Sequence, residues 1–270
     1  MHITYNSKWF AQSRNLTRPM KITVIQQDIV WKDIEENIRR IGKLLAKADK
    51  SDLYLLPEMC STGFCMQPSG VAEEVNGPTV KHFIEWARKY NAAIAGTVMT
   101  LESENVYRNR MYFVTPDGKV QYYDKCHLFE YSGEDTVYKP GEKKVIWEWK
   151  GVRLRPVICY DIRFPVFLHN IGDYDVMLVS ANFPESRMLA WDTLIRARAI
   201  ENQCYVAASN RVGADDFGTY VGHSAIINPY GQTIARCRSR YQGSATSELE
   251  WSMMERLRRN FPILNNDIAL

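Results

Sequence analysis

The sequence predicts an α/β protein in which helices cover a mixed β-sheet. Three observations carry that expectation. Short apolar runs recur at residues 21–26, 53–56, 152–158, 175–180 and 204–209, each of strand length. Segments with apolar residues at helical spacing separate several of them, which implies crossover helices and parallel neighbours. Turn signals such as Pro116-Asp117-Gly118 and Pro229-Tyr230-Gly231 join other strands as hairpins, which implies antiparallel neighbours.

Along the chain, residues 21–26 form the first strand, and Asp33 caps a helix in which Ile34, Ile38, Ile41 and Leu45 share a face. The strand at 53–56 leads to Pro57 and Glu58. A second helix starts after Gly77-Pro78, with Val80, Ile84, Trp86 and Ala87 apolar, and a strand follows from Ala93. Residues 110–114 and 119–123 pair across the Pro116 turn. Beyond Cys159, Phe164-Pro165 opens a short helix. A long helix then carries Leu189, Thr193, Ala197 and Ile200 on one side, taken here as its apolar side. The last predicted strand spans 223–228.

At 270 residues the chain is long enough to bury a substantial core, and no Pro/Gly/Ser-rich linker divides it. One domain spanning residues 20–270 is expected, preceded by an N-terminal extension, 1–19, outside the fold. The formal charge of +3 equals the contribution of Lys8, Arg14 and Arg18, with no acid before Met20. The rest is balanced, which gives no electrostatic case for nucleic acid or an anionic membrane. No stretch approaches the ~20 apolar residues of a membrane span. Six cysteines without a CxxC pair fit neither a disulfide scaffold nor a zinc site, so free thiols in a reducing cytoplasm are expected.

Three polar residues stand where apolar strands end. Cys159 closes the run 152–158 on a sharp turn, Glu58 follows 53–56, and Lys125 follows the aromatic strand that ends at Tyr123. Strand ends in α/β proteins face the ligand crevice. A thiol beside a helix N-terminus is biased toward thiolate. A lone buried cysteine is more often a small hydrophobe, and a lone Glu–Lys pair a structural ion pair. The three together read as a catalytic set.

With their flanks (LLPEM, DKCHLF and ICYDIRFP), these residues resemble the Glu-Lys-Cys triad of the nitrilase, or carbon–nitrogen hydrolase, superfamily. The resemblance extends from about Met20 onward, through Arg196-Ala197-Arg198-Ala199-Ile200-Glu201-Asn202 and the hairpin from Gly222-His223-Ser224 to Gly231. In detail it is most similar to the omega-amidase branch, which hydrolyses the terminal amide of 2-oxo dicarboxylic monoamides. The resemblance implies a four-layer α-β-β-α sandwich with two mixed sheets, where pattern alone gives only one mixed sheet. It also implies a homo-oligomer, for which the apolar run at 261–264 is a candidate docking tail. The lack of clustered His/Cys ligands and of a glycine-rich phosphate loop separately leads to an expectation of chemistry without metal or cofactor.

The roles it implies are specific. Cys159 attacks a small carboxamide and forms a thioester. Glu58 takes the thiol proton, passes it to departing ammonia, and then activates water. Lys125 and the backbone N–H of Tyr160 hold the oxyanion. Glu134, nine residues past Lys125, is a second glutamate that orients Lys125, with Glu130 and Asp135 as competitors. Arg187, in the loop after the strand at 175–180, is expected to bind the substrate carboxylate, against the alternative of a helix-entry ion pair with Glu185. Phe64 and Trp191 are further substrate-binding candidates. His127 and His223 read as structural, and Asp161 and Arg163 as braces for the turn after Cys159. The competing functions are a nitrile or N-carbamoyl hydrolase using the same triad, and an inactive nitrilase-like binding protein. The intact triad argues against the second.

Overall fold

Residues 18–265 are described by the computed structural model of the chain. The expected extension therefore lies outside the described residues except for Arg18 and Pro19. Of these, the Arg18 carbonyl accepts a 3.0 Å hydrogen bond from the Trp251 indole.

The first half runs β1 (Met20–Gln26), α1 (Ile34–Lys47), β2 (Leu53–Leu55), β3 (Glu73–Glu74) and α2 (Pro78–Tyr90). It continues through β4 (Ala93–Ser103), β5 (Val106–Val114), β6 (Val120–Asp124) and the single turn α3 (Glu134–Val137). The second half contains β7 (Trp147–Trp149), β8 (Val152–Ile158), α4 (Pro165–Leu168), β9 (Val176–Ala181), α5 (Met188–Glu201) and β10 (Tyr205–Asn210). Next comes a hairpin of β11 (Val212–Asp215) and β12 (Gly218–Val221). The described chain is completed by β13 (Ala225–Ile227), β14 (Thr233–Arg236), β15 (Gly243–Leu249) and α6 (Trp251–Asn260).

The strands form two large mixed sheets, one ordered β15-β1-β2-β4-β5-β6 with β3 beside β4, the other β14-β13-β10-β9-β8-β7. Each is parallel at its centre, β1-β2-β4 and β8-β9-β10, and antiparallel on both flanks. Three apolar clusters account for the alternation of side chains along the central strands. Ile22, Val24, Leu53 and Leu55 of the first sheet share one cluster with Leu154, Ile158, Val176 and Leu178 of the second. The intervening residues of the first sheet, such as Tyr54 and Ile94, pack with Ile41 and Leu45 of α1 and Phe83 of α2. Those of the second sheet, such as Val157, Met177 and Val179, pack with Leu168 of α4 and Trp191 and Ile195 of α5.

Local signals operate as expected at α1, where the Asp33 carboxylate accepts from the N–H of Glu36 at 3.0 Å. The orientation of α5 differs from expectation. Its buried residues are Met188, Trp191, Ile195, Arg198 and Ala199, while Leu189 and Ile200 are 85% and 52% exposed. This helix has apolar residues on every side, so periodicity does not select a face. The C-terminal run is likewise mixed: Phe261 is exposed, and its carbonyl accepts from the Gln203 side chain at 2.7 Å.

Hydrogen bonds join the two sheets at one end. The Ser180 hydroxyl donates to the Leu56 carbonyl at 2.7 Å, and Ser209 donates to Ile25 at 2.6 Å. They bring the ends of β1 and β2 against those of β9 and β10. Gly222 secures the hairpin above this junction. It has φ +80°, and an added Cβ would overlap the Gln26 carboxamide. That carboxamide cannot yield, because it donates to the carbonyls of Arg238 and Tyr241 and accepts from the N–H of Ser224. Gly222→Ala should therefore cost at least about 2 kcal/mol, combining left-handed strain with overpacking. Gly243→Ala, where a Cβ meets nothing within 4 Å, should change urea-unfolding stability by less than about 1 kcal/mol.

Candidate active site

Glu58, Lys125 and Cys159 each come from a separate strand end. Lys125 is the first residue after β6, Cys159 the first after β8, and Glu58 lies in the turn three residues beyond β2. Each strand delivers its residue to the junction where the sheets meet. Cys159 has φ 43°, an uncommon conformation for a non-glycine residue that costs on the order of 1–3 kcal/mol. Asp161 pins that turn. Its carboxylate accepts from the Tyr123 hydroxyl at 2.7 Å, the Ile158 N–H at 3.1 Å and the His127 N–H at 2.9 Å. The His127 ring lies 2.9 Å from the same carboxylate and stacks on Phe164 with centroids 3.7 Å apart. His127 and Asp161 thus brace the site. His223 also has a structural place, with Nδ1 2.9 Å from Asp192.

The charged centre is a buried network. The Lys125 ammonium donates to Glu58 Oε1 at 2.9 Å and to both oxygens of Glu134, at 3.0 and 2.9 Å. All three side chains are at most 1% exposed. Glu134 is also held by the Phe129 N–H at 2.6 Å. Asn109, from β5, spans the carboxylates, donating to Glu58 Oε1 at 2.8 Å and Glu134 Oε1 at 3.0 Å. The other Glu58 oxygen, Oε2, accepts from the Asn182 N–H at 2.9 Å. Of the acidic residues in the loop after Lys125, Glu134 is the one that bonds the lysine. Glu130 and Asp135 are exposed.

Burial works against the ammonium of Lys125, but Glu134, Glu58 and Cys159 outweigh it and hold the lysine charged. Burial raises the Glu134 carboxyl, with Lys125 opposing and Glu58 reinforcing the rise. The Cys159 thiol is pushed well above its ordinary range by burial and then by the Glu58 charge, against the pull of Lys125 and the Asn182 N–H. Cys159 as a residue keeps some exposure, yet its thiol is desolvated. The expected thiolate bias from a succeeding helix is absent. Cys159 instead opens a five-residue 3-10 turn, Cys159–Arg163, too short to offset a buried carboxylate. A thiol raised in this way needs a neighbouring base before it can act as a nucleophile.

A cavity of about 270 Å³ opens over this centre, with Glu58, Lys125 and Cys159 among its lining residues. Phe64, Tyr160 and Arg187 line it as well. Arg187 lies 4.8 Å above the Phe129 ring and 5.4 Å above that of Tyr131. Glu185 does not engage it, pairing instead with Arg240. Among the described residues no ion pair occupies the Arg187 guanidinium. Trp191 must be corrected: it is fully buried beneath Phe183, with ring centroids 5.3 Å apart, and its indole donates to the His223 carbonyl at 3.1 Å. It supports the wall without lining the cavity. Arg163, expected only as a brace, does line it, 5.4 Å from the Phe183 ring.

Sequence reading missed Asn109, Asn182 and the hairpin residues Phe217 and Tyr220. Asn182 had a legible signal, since it lies two residues past a predicted apolar strand. Asn109 had only its polarity within a strand, and the hairpin entered the cavity through tertiary packing of Phe217 on Phe64, centroids 6.0 Å apart.

Residues 21–259 match the family model described as carbon-nitrogen hydrolase. The chain belongs to the carbon–nitrogen hydrolase family. This hydrolase is similar to the Omega-amidase YafV of Escherichia coli K12, with 43% identity over 90% of this chain and 94% of the relative. It is also similar to the 2-oxoglutaramate amidase of Bacillus subtilis, with 31% identity over 91% and 96% of the two chains. Among solved structures it resembles the CN-hydrolase superfamily protein XC1258 of Xanthomonas campestris. There the TM-score is 0.89 at 39% identity, covering 94% of this chain and 99% of that one; the crystal carries an arsenic adduct in the active site.

The electrostatics of this hydrolase predict its thiol chemistry. Iodoacetamide labelling of Cys159, followed by peptide mass spectrometry, should accelerate steadily from pH 7 to 9 without a plateau, because the thiolate is the minor form. Glu58→Gln removes a charge that raises the thiol, so its profile should move to lower pH. An unchanged or upward-shifted profile would contradict this account of the site.

Proposed function

We propose that this protein is an omega-amidase, releasing ammonia from the terminal amide of a 2-oxo dicarboxylic monoamide such as 2-oxoglutaramate. The observation that carries the reading is one cavity joining the Glu58–Lys125–Glu134–Cys159 cluster to an arginine, Arg187, with no acidic partner among the described residues. The similarity to Omega-amidase YafV and 2-oxoglutaramate amidase supports it.

In this reading Glu58 takes the Cys159 proton as sulfur attacks the amide carbon. Oε1 of Glu58 is committed to Lys125 and Asn109, so Oε2 is the oxygen that receives the proton. Lys125 and the Tyr160 N–H stabilise the oxyanion, while Glu134 keeps Lys125 charged and in place. Collapse expels ammonia, protonated by Glu58, and leaves a thioester that water then cleaves with Glu58 again as base. Arg187 binds the distal carboxylate, and Phe64 packs on the chain between the two ends. The thiol, carboxylate and ammonium supply nucleophile, base and electrophile, so no metal or cofactor is needed. Among the described residues no helix is long and apolar enough to cross a membrane. A homo-oligomer and a cytoplasmic setting belong to the same reading, the oligomer supported by exposed Leu189 and Ile200 on α5.

Ammonia release should be tested on 2-oxoglutaramate, 2-oxosuccinamate, glutamine, asparagine, simple nitriles and N-carbamoyl amino acids. Turnover of the 2-oxo amides is expected to dominate, and dominance of a nitrile or carbamoyl substrate would replace this reading. Cys159→Ala and Cys159→Ser should each abolish turnover while leaving the fold intact, and intact-mass spectra of the unmodified protein should show an acyl adduct. Wild-type-like activity in either variant would remove the thioester route. Arg187→Met and Arg187→Lys should each lose about 2–4 kcal/mol of apparent transition-state binding for 2-oxoglutaramate alone, as for one partner of a desolvated ion pair. Equal losses on an uncharged short-chain amide would take Arg187 out of carboxylate recognition.

A further inference from the structure

Asn182 is the first residue after β9 and is 6% exposed. Its side-chain nitrogen donates to the Glu58 backbone carbonyl at 2.8 Å. Because a carbonyl only accepts, that bond fixes which end of the carboxamide is which. The other end, Oδ1, is buried and has no hydrogen-bond partner among the described residues. An unmade bond to a buried acceptor is costly, and a native fold that keeps one calls for an explanation. Asn182 also lines the cavity beside Cys159 and Glu58, and its own N–H holds Glu58 Oε2. The orphaned acceptor therefore belongs to the residue that holds the oxygen assigned above to carry the proton.

We propose that Asn182 Oδ1 accepts a hydrogen bond from the nitrogen of the scissile amide and retains it as ammonia departs, making Asn182 the residue that distinguishes an amide from an ester. This rests on the amidase reading and deepens it. In the tetrahedral intermediate the reacting carbon carries sulfur, an oxyanion and the –NH₂ group. When the C–N bond breaks, its electron pair stays on nitrogen, nitrogen takes the proton held by Glu58, and the oxyanion re-forms the carbonyl of the thioester. Nitrogen must therefore turn its lone pair to Glu58 while its N–H bonds point elsewhere. Oδ1 is an acceptor for one of them. An ester oxygen in the same position has no hydrogen to offer and leaves Oδ1 unpaired, the condition under which sites built around a polar contact discriminate most strongly.

The test compares kcat/KM for 2-oxoglutaramate with that for the corresponding ω-methyl ester. In Asn182→Ala the amide-to-ester ratio should fall at least about tenfold, mostly through loss on the amide. A smaller change, or equal losses on both, would overturn the proposal and leave Asn182 as a structural support for Glu58. Should that variant not fold, Asn182→Ser answers the same question. The unmodified protein gives an independent measurement. With the methyl ester as acyl donor, added ammonia should divert the acyl-enzyme to amide with saturation, and a strictly linear dependence would count against a site for ammonia. Failure of the unmodified protein to hydrolyse any amide would instead sink the amidase reading itself.

Discussion

The site is organised around one buried cation. Lys125 is shared by two carboxylates that are themselves buried, Glu58 and Glu134, and at most 1% of any of the three side chains is exposed. Removing the ammonium from such a set leaves like charges facing each other, a change of about 3–5 kcal/mol in comparable buried pairs. The remaining lone pairs are satisfied by donors from separate parts of the chain: Asn109 of β5, the Phe129 N–H and the Asn182 N–H. Every one must be in register for the charges to be tolerated. The network around Lys125 thus also ties the cavity walls together.

That network can form only where the two sheets end side by side. Ser180 and Ser209 bridge from the second sheet to carbonyls that follow β2 and lie in β1. Through these bonds the ends of β2 and β9 meet, and Glu58 and Asn182 come within hydrogen-bond distance. Asp161 performs the equivalent service between β6 and β8, gathering Tyr123, His127 and Ile158 around the turn at Cys159. A left-handed cysteine is held there by its neighbours, which is how strained conformations persist at functional sites.

The chemistry is set by the partners that each oxygen and nitrogen already holds. Glu58 Oε1 is saturated by two donors, while Oε2 accepts one, the Asn182 N–H. The raised thiol leaves the thiolate as the minor form at rest. Arg187 sits on aromatic rings, and among the described residues no acid pairs with its planar guanidinium.

The strand ends bearing Glu58, Lys125 and Cys159 were legible in the sequence, because an apolar run broken by a charge or thiol is a local pattern. So were the Asp33 cap, the turn at Pro116 and the α/β class, each set by residues a few positions apart. Long-range features stayed open in the residues alone. The buried face of α5 was not legible because that helix is apolar all round, and only the sheet it lies on decides which side is covered. Trp191 has a pocket residue's place in the chain, yet packing turns it into the core. Asn109 carries no mark in its strand beyond polarity, and it acquires meaning from two carboxylates 51 and 25 residues away. The sequence by itself determined which residues could do the chemistry, since composition and local turns place them at strand ends. Tertiary structure alone decided their charge states and partners, because burial and electrostatic contact are properties of space and not of chain order.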